Sequence, residues 1–254
     1  MQKPCNTVNI IGTMVSNISM HDLQLHFNHC IEQKIKTRVC VTPVNCLTAA
    51  HKLPELKAIY NSADFVLCDG VPLLWASRLL GKPIIERITG LDLLPQYLAV
   101  CAEKKYRIYF LGAKEGVAQT LANQLAIKYP GIQIVGLYSP PFAAHFSAEE
   151  NNKMLQLINA AKPDIVFVSF TAPKQDYWIA NHLHLLDTSI AIGVGGAFEV
   201  VAGLIPRAPI FFQRNGLEWL YRFFQEPRRL FRRYFIEAPV FIPLLFQQLF
   251  RGRD

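Results

Sequence analysis

No run of about 18 uncharged apolar residues, the length that crosses a bilayer as a helix, occurs in this chain. The nearest approach, Tyr234 to Phe250, is broken by Glu237, Pro239 and Pro243, so no membrane span is expected. Met1 to Thr7 carries one lysine and leads into no apolar stretch with a small-residue cleavage pattern, so no secretory signal is expected. The six cysteines (Cys5, Cys30, Cys40, Cys46, Cys68 and Cys101) form no CxxC pair and no zinc-type spacing. They lie mostly in apolar runs and read as reduced, buried thiols of a cytosolic protein. Charge is scarce as well, at 18% of residues against 51% hydrophobic, which excludes a disordered, solvating chain. The 254 residues suffice for one large domain or two small ones with a sizeable core.

The charge that is present is uneven. Of the net +7, the stretch from Ile205 to Asp254 holds +5, with nine arginines against four acidic residues. Twelve of the 29 aromatic residues fall in the same stretch. The basic character therefore belongs to a tail, and the tail is apolar as well as basic.

Upstream, short apolar runs alternate with helix-length amphipathic segments. Strands are predicted at Val8–Ile11, Arg38–Thr42, Phe65–Cys68, Arg107–Leu111, Ile132–Leu137, Ile165–Ser169 and Ile190–Gly193. Helices are predicted over Gly90–Lys104, Glu115–Tyr129 and Ala148–Ala160, the last opened by a capping box from Ser147 and Glu150. This alternation indicates crossover units and a mainly parallel sheet with helices on both faces, a Rossmann-like α/β fold. Ile165–Ser169 and Ile190–Gly193 are apolar on both faces, as a doubly covered sheet demands. After Pro206 the rhythm stops. The expected organisation is an α/β core over residues 1–206 and a helical appendage over 207–254.

Ligands of open α/β sheets sit at the carboxyl ends of the strands, which singles out the polar and glycine residues there. Asp69 directly follows a strand and can serve as a general base or as the N-cap of a helix over Val71–Leu80. Arg87 can hold a phosphate or form a surface ion pair. The turns at Gly112–Gly116 and Gly193-Val194-Gly195-Gly196 let backbone N–H groups approach an anion, such as the diphosphate of a nucleotide sugar, or are simply tight turns. Neither turn has the GK[ST] ending of an NTPase loop, and Phe198 stands where a dinucleotide fingerprint needs its third glycine. Arg222, Arg229 and Arg232 can share one general face of the tail, and the arginine fork suits phosphate. Basic and aromatic residues together fit an anionic membrane surface. Nucleic acid is not an expected partner, because the rest of the chain is nearly neutral and no nucleic-acid module is evident.

Taken together, these motifs resemble the WecG/TagA/CpsF family of glycosyltransferases (glycosyltransferase family 26). The carrying segments are Thr42-Pro43-Val44-Asn45, Asp69-Gly70-Val71-Pro72, Glu86-Arg87-Ile88-Thr89-Gly90-Leu91-Asp92, Phe110–Lys114, Ala172–Asp176, Gly193–Phe198, Arg207-Ala208-Pro209 and Gly216–Tyr234. The resemblance implies an α/β nucleotide-binding core with a C-terminal appendage. It implies transfer of N-acetylmannosamine or a related sugar from UDP, with inversion, to an undecaprenyl-diphosphate-linked acceptor. It makes Asp69 the general base, places Thr42, Asn45, Arg87 and Gln175 along the site, and brings Arg222, Arg229 and Arg232 to the diphosphates. The metal-binding DxD of many sugar transferases is absent, so no metal or other cofactor is expected and arginines and backbone N–H groups would offset the leaving-group charge. Gly112, Gly193, Gly195, Gly196 and Glu199 are the expected contacts of the donor. Two departures stand out. The family's Thr-x-Asn is here spaced by two residues, and Glu199 replaces the usual Asp. The expected setting is the inner face of a bacterial plasma membrane, with self-association favoured by the apolar tail. A nucleotide-dependent oxidoreductase and a lipid-binding scaffold are the rival readings.

Overall fold

The protein is described from a computed structural model over residues 3–251, with the side chains of Arg229 and Arg251 outside the described set. All seven expected strands form. Six build one parallel sheet: β3 (Thr37–Pro43), β4 (Phe65–Asp69), β5 (Arg107–Gly112), β6 (Gln133–Tyr138), β7 (Ile165–Ser169) and β8 (Ile190–Gly193), in the order β4-β3-β8-β7-β5-β6. The seventh, β1 (Thr7–Ile10), pairs instead with β2 (Thr13–Ser16) in a small antiparallel hairpin that the sequence reading missed.

The sheet is doubly covered because its strands alternate large apolar residues to both faces. One face carries Val39, Val41, Phe65, Leu67, Phe110, Phe167 and Ile192. It packs under α1 (Met20–Glu32), with α2 (Val44–Lys52), α3 (Pro54–Ser62) and α4 (Val71–Leu79) following in the chain. The same face is also covered by α5 (Gly90–Lys104) and α6 (Val117–Lys128). The opposite face carries Leu111, Val166, Val168 and Ala191 under α7 (Ala148–Ala161) and α8 (Lys174–His182), while Cys40 and Val66 pack under α2 and α3. Ser147 caps α7 by accepting the Glu150 amide at 3.2 Å, but the Glu150 carboxylate goes to the Tyr138 hydroxyl rather than closing the box.

Past the sheet the chain forms α9 (Ala197–Val201), α10 (Ile210–Arg214), α11 (Glu218–Gln225) and α12 (Pro227–Phe231). A π-helical turn over Arg232–Glu237 and a short 3-10 turn over Ala238–Val240 then lead into α13 (Phe241–Arg251). The final helix returns to the chain's beginning. Phe241 and Leu245 are buried in one cluster with Val8, Ile10 and Val15 of the hairpin and with Leu47 and Leu73. Among the described residues no helix is long and apolar enough to cross a membrane. All six cysteines are free thiols, and all but Cys5 are buried.

Candidate active site

Asp69 ends β4 directly beside Pro43 at the end of β3, with which it is in register. The next residue, Gly70, has φ +137, a conformation that side-chain-bearing residues rarely adopt, and it is Gly70 that caps α4. Asp69 is therefore not the helix cap that the sequence left open. Its carboxyl is half-buried and faces four charged side chains, from the segment before α5, from α11 and from the π turn. Burial raises its pKa above the ordinary carboxylate value. Arg233 and then Arg87 pull it down, Glu218 pushes it up, and Arg222 again pulls it down.

The segment Glu86–Asp92 divides into separate tasks. The Glu86 carboxylate accepts the Met20 amide at 2.7 Å and fixes the start of α1. Arg87 lies beside Asp69, because Ile88 donates its amide to Cys68 O at 3.1 Å and ties the segment to the end of β4. Thr89 caps α5 by accepting the Asp92 amide and donates its own hydroxyl to the Asp92 carboxylate at 2.8 Å. Asp92 also pairs with Arg207 at 2.5 Å, and Arg207 reaches Glu218 of α11 at 3.1 Å. Arg207 thus joins the core to the appendage. Gly90 is required because a side chain there would stand 2.8 Å from Val194 O.

The glycine turn after β8 is held from beneath. Gln175 is buried, and its Oε1 accepts the Gly195 amide at 2.9 Å, while the Ser169 hydroxyl donates to Gly195 O at 2.6 Å. A Cβ at Gly193 would lie 2.7 Å from the Gln175 amide nitrogen. Two sequence expectations change here. Gln175 shapes the turn from behind rather than lining an open site, and the Gly195 N–H is already spent on it. Val194 likewise gives its N–H to Val168 O at 2.9 Å. Gly112 stands one strand further along; a Cβ there would meet Ser169 O at 2.5 Å, so its role is close packing of strand ends. Thr42 is also buried, with its hydroxyl donating to Cys40 O at 3.3 Å, and it supports the strand end.

At the mouth of the turn a side chain on Gly196 would come 3.7 Å from Glu199 Oε2 and 3.8 Å from Arg222 Nη2. The Glu199 Oε2 is buried without a hydrogen-bond partner. Arg222 thus reaches from α11 toward both the glycine turn and Asp69. From the end of the appendage, Arg233 Nε donates to Asn45 Oδ1 at 3.1 Å. Arg232, expected at the diphosphates, does not join this group: its side chain is 80% exposed and pairs with Glu237 at 3.1 Å. The expected role of Arg229 falls on a side chain outside the described residues. Asp69, Asn45, Arg87, Arg222 and Glu199 are thus brought to one end of the sheet, and Arg233 is the member the sequence reading missed. Its signal was present only as one more arginine in an arginine-rich run. Among the described residues no group of three or more His, Cys, Asp or Glu side chains is placed to hold a metal ion.

A parallel α/β sheet with an acid at a strand end and arginines from core and tail beside it has the ligand-binding architecture of its fold class, at the carboxyl ends of the strands. Comparison with known proteins narrows the class. The model of the glycosyl transferase WecG/TagA/CpsF family matches residues 8–254, and the chain belongs to that family. It is 33% identical over 227 residues to an N-acetylglucosaminyldiphosphoundecaprenol N-acetyl-beta-D-mannosaminyltransferase of Bacillus spizizenii, covering 89% of this chain and 84% of that protein. The enzyme of the same name from Bacillus subtilis is 34% identical over 201 residues, 79% of this chain and 76% of its own. One from Staphylococcus aureus is 31% identical over 176 residues, 68% and 66%. The protein is a glycosyltransferase.

Proposed function

We propose that the protein transfers N-acetylmannosamine or a related sugar from UDP, with inversion, to an acceptor linked to undecaprenyl diphosphate, in the synthesis of a bacterial surface polysaccharide or teichoic acid. The observation that carries this reading is Asp69, a half-buried carboxylate whose pKa is raised by burial and moderated by Arg233, Arg87 and Arg222. The relatives' names supply the sugar and the lipid-linked acceptor.

In this mechanism Asp69 takes the proton of the acceptor hydroxyl as that oxygen attacks the anomeric carbon. The bond from the anomeric carbon to the UDP oxygen breaks, and UDP leaves with the electron pair. Arg87 and Arg222 face the developing negative charge, so the step runs without a metal or other cofactor. The unpartnered Glu199 Oε2 accepts a hydroxyl or N–H of the donor nucleoside. The appendage, residues 207–254, carries the lipid-diphosphate contacts and lies against the cytoplasmic face of the membrane, where its exposed aromatic residues meet the lipid. In this reading its apolar surface also supports self-association.

The test is a panel of UDP-sugars incubated with a short-chain GlcNAc-diphosphate-lipid analogue, reading released UDP. Transfer is expected with one or a few donors. Asp69→Asn is expected to lower the rate by roughly 10²- to 10⁴-fold, the worth of a general base, with UDP binding unchanged. An unchanged rate in Asp69→Asn removes it from the base role, and failure of every donor overturns the reading.

A further inference from the structure

We propose that Arg233, not its neighbour Arg232, is the appendage arginine that positions this site: it orients the Asn45 amide and sets positive charge beside Asp69. The assignment follows from which way each side chain is turned. Arg233 Nε donates to Asn45 Oδ1 at 3.1 Å, a contact spanning 188 residues of sequence. Asn45 stands in the first turn of α2, two residues past Pro43, whose register partner is Asp69 itself. Arg232 points the other way, with its side chain 80% exposed in an ion pair with Glu237. An exposed pair of this kind contributes little.

The local backbone explains the choice. Arg232 to Glu237 is a π-helical turn, in which hydrogen bonds run from residue i to i+5. Arg232 and Glu237, the first and last residues of that turn, pair with each other on its exposed side, while the next residue, Arg233, faces α2. There α2 packs directly against the π turn and the 3-10 turn that follows it. The Arg233 guanidinium also lies 5.8 Å from the centroid of the Tyr234 ring, which braces it from the side. With the Asn45 oxygen fixed on Arg233, the orientation of its amide is set rather than free.

Arg233 is also the strongest of the cations that lower the Asp69 pKa. It is a positioning residue: it acts through Asn45 and Asp69, and its effect is to widen the pH range in which Asp69 is ionised and able to accept a proton.

The test compares Arg233→Gln, Arg233→Lys and Arg232→Gln by kcat/KM against pH, reading UDP released from the UDP-sugar donor with the lipid analogue as acceptor. This kinetic arm rests on the proposed transfer reaction. Arg233→Gln is expected to lower kcat/KM at neutral pH by about tenfold or more, the usual effect of losing a hydrogen bond to a charged group. Its acid limb should also move to higher pH, since removing a cation disfavours the carboxylate. Arg233→Lys should return the limb toward wild type, and Arg232→Gln should superimpose on wild type. A pH profile of Arg233→Gln that overlies wild type, or an equal loss in Arg232→Gln, overturns the proposal.

A second arm needs no turnover: a double-mutant cycle of Arg233→Gln with Asp69→Asn, followed by urea unfolding at pH 7.5. Coupling between the two positions is expected, and strict additivity overturns the proposal. If wild type releases no UDP from any donor, the transfer reading fails while the cycle still decides the placement of Arg233.

Discussion

Asp176 shows how much one buried residue can cost. It sits 0% exposed in the first turn of α8, where its Oδ2 accepts the Tyr60 hydroxyl at 3.0 Å while its Oδ1 has no partner. Burial pushes its pKa up to about 7, and Tyr60, Cys40 and Arg38 only partly offset this. The sign follows directly. In the unfolded chain the carboxyl ionises near the ordinary value, while in the folded state it stays protonated up to about pH 7. Below the unfolded pKa both states are protonated and the group is neutral to stability. Between the two values the unfolded state is favoured by its charge, so stability falls as pH rises and levels off above about 7. The full effect is of order a few kcal/mol. Asp176→Asn keeps an acceptor for Tyr60 and cannot ionise. It is expected to raise the urea midpoint at pH 8 far more than at pH 5, and an equal shift at both pH values would contradict the assignment.

At the scale of elements, α13 adds to its apolar packing on the N-terminal hairpin two hydrogen bonds from one side chain, Gln248. Gln248 Oε1 accepts the Ile11 amide at 2.6 Å, and Gln248 Nε2 donates to Asn9 O at 2.8 Å. Ile11 and Gly12 form the two-residue turn of that hairpin, both at positive φ, +45 and +90. For a β-branched residue this is an unfavourable conformation, held in place by its neighbours. Gln248→Ala is expected to leave the Ile11 N–H without its side-chain acceptor and to weaken the docked end of α13 by about 1–3 kcal/mol. Hydrogen exchange reads this locally: amides of Ile11 and α13 should exchange faster, with β5 and β7 unchanged. Equal protection in variant and wild type would show that apolar packing alone seats the helix.

The same elements show what the sequence made legible. The strands of the parallel sheet were readable because Ile165–Ser169 and Ile190–Gly193 are apolar on both faces, a pattern only a doubly covered strand uses. The hairpin partner Thr13–Ser16 was not, because its turn places isoleucine where Asn-Gly is the usual signal. Asp69 was legible from its place after a strand, and Arg87 from its place in the Glu86–Asp92 motif between two helices. The inward turn of Arg233 was not, because which of two adjacent arginines meets α2 is a tertiary fact that leaves the sequence pattern of arginines unchanged. Gln175 was found as a site residue, yet its burial against Gly193 and Gly195 is a tertiary fact that no local pattern encodes.

For the whole molecule, the separation of charge and apolar surface fixes how it would meet a membrane. The core up to residue 204 is nearly neutral, and the tail holds +5. Several tail residues are engaged inward: Arg207 on Asp92 and Glu218, Arg233 on Asn45, and Phe241 and Leu245 in the hairpin cluster. Outward on α13 stand Ile242, Phe246 and Phe250, spaced by four residues and therefore on one side of the helix, with Phe231, Phe235 and the exposed Arg228 preceding them. An apolar ridge of this kind buries in the headgroup boundary, and each nearby arginine adds about 1 kcal/mol on an anionic surface. Binding to vesicles containing phosphatidylglycerol should therefore weaken as salt rises, because exposed charges are screened over roughly 10 Å at 0.1 M. Phe246→Glu should weaken it roughly tenfold or more at low salt, since it replaces apolar burial by a repelled charge. UDP release with a short, water-soluble acceptor should be unchanged, because Phe246 is an exposed residue on the outer side of α13. Vesicle binding that ignores both salt and Phe246→Glu would mean that the membrane is met by another face, and the outward ridge of α13 would then be free for a second copy of the chain.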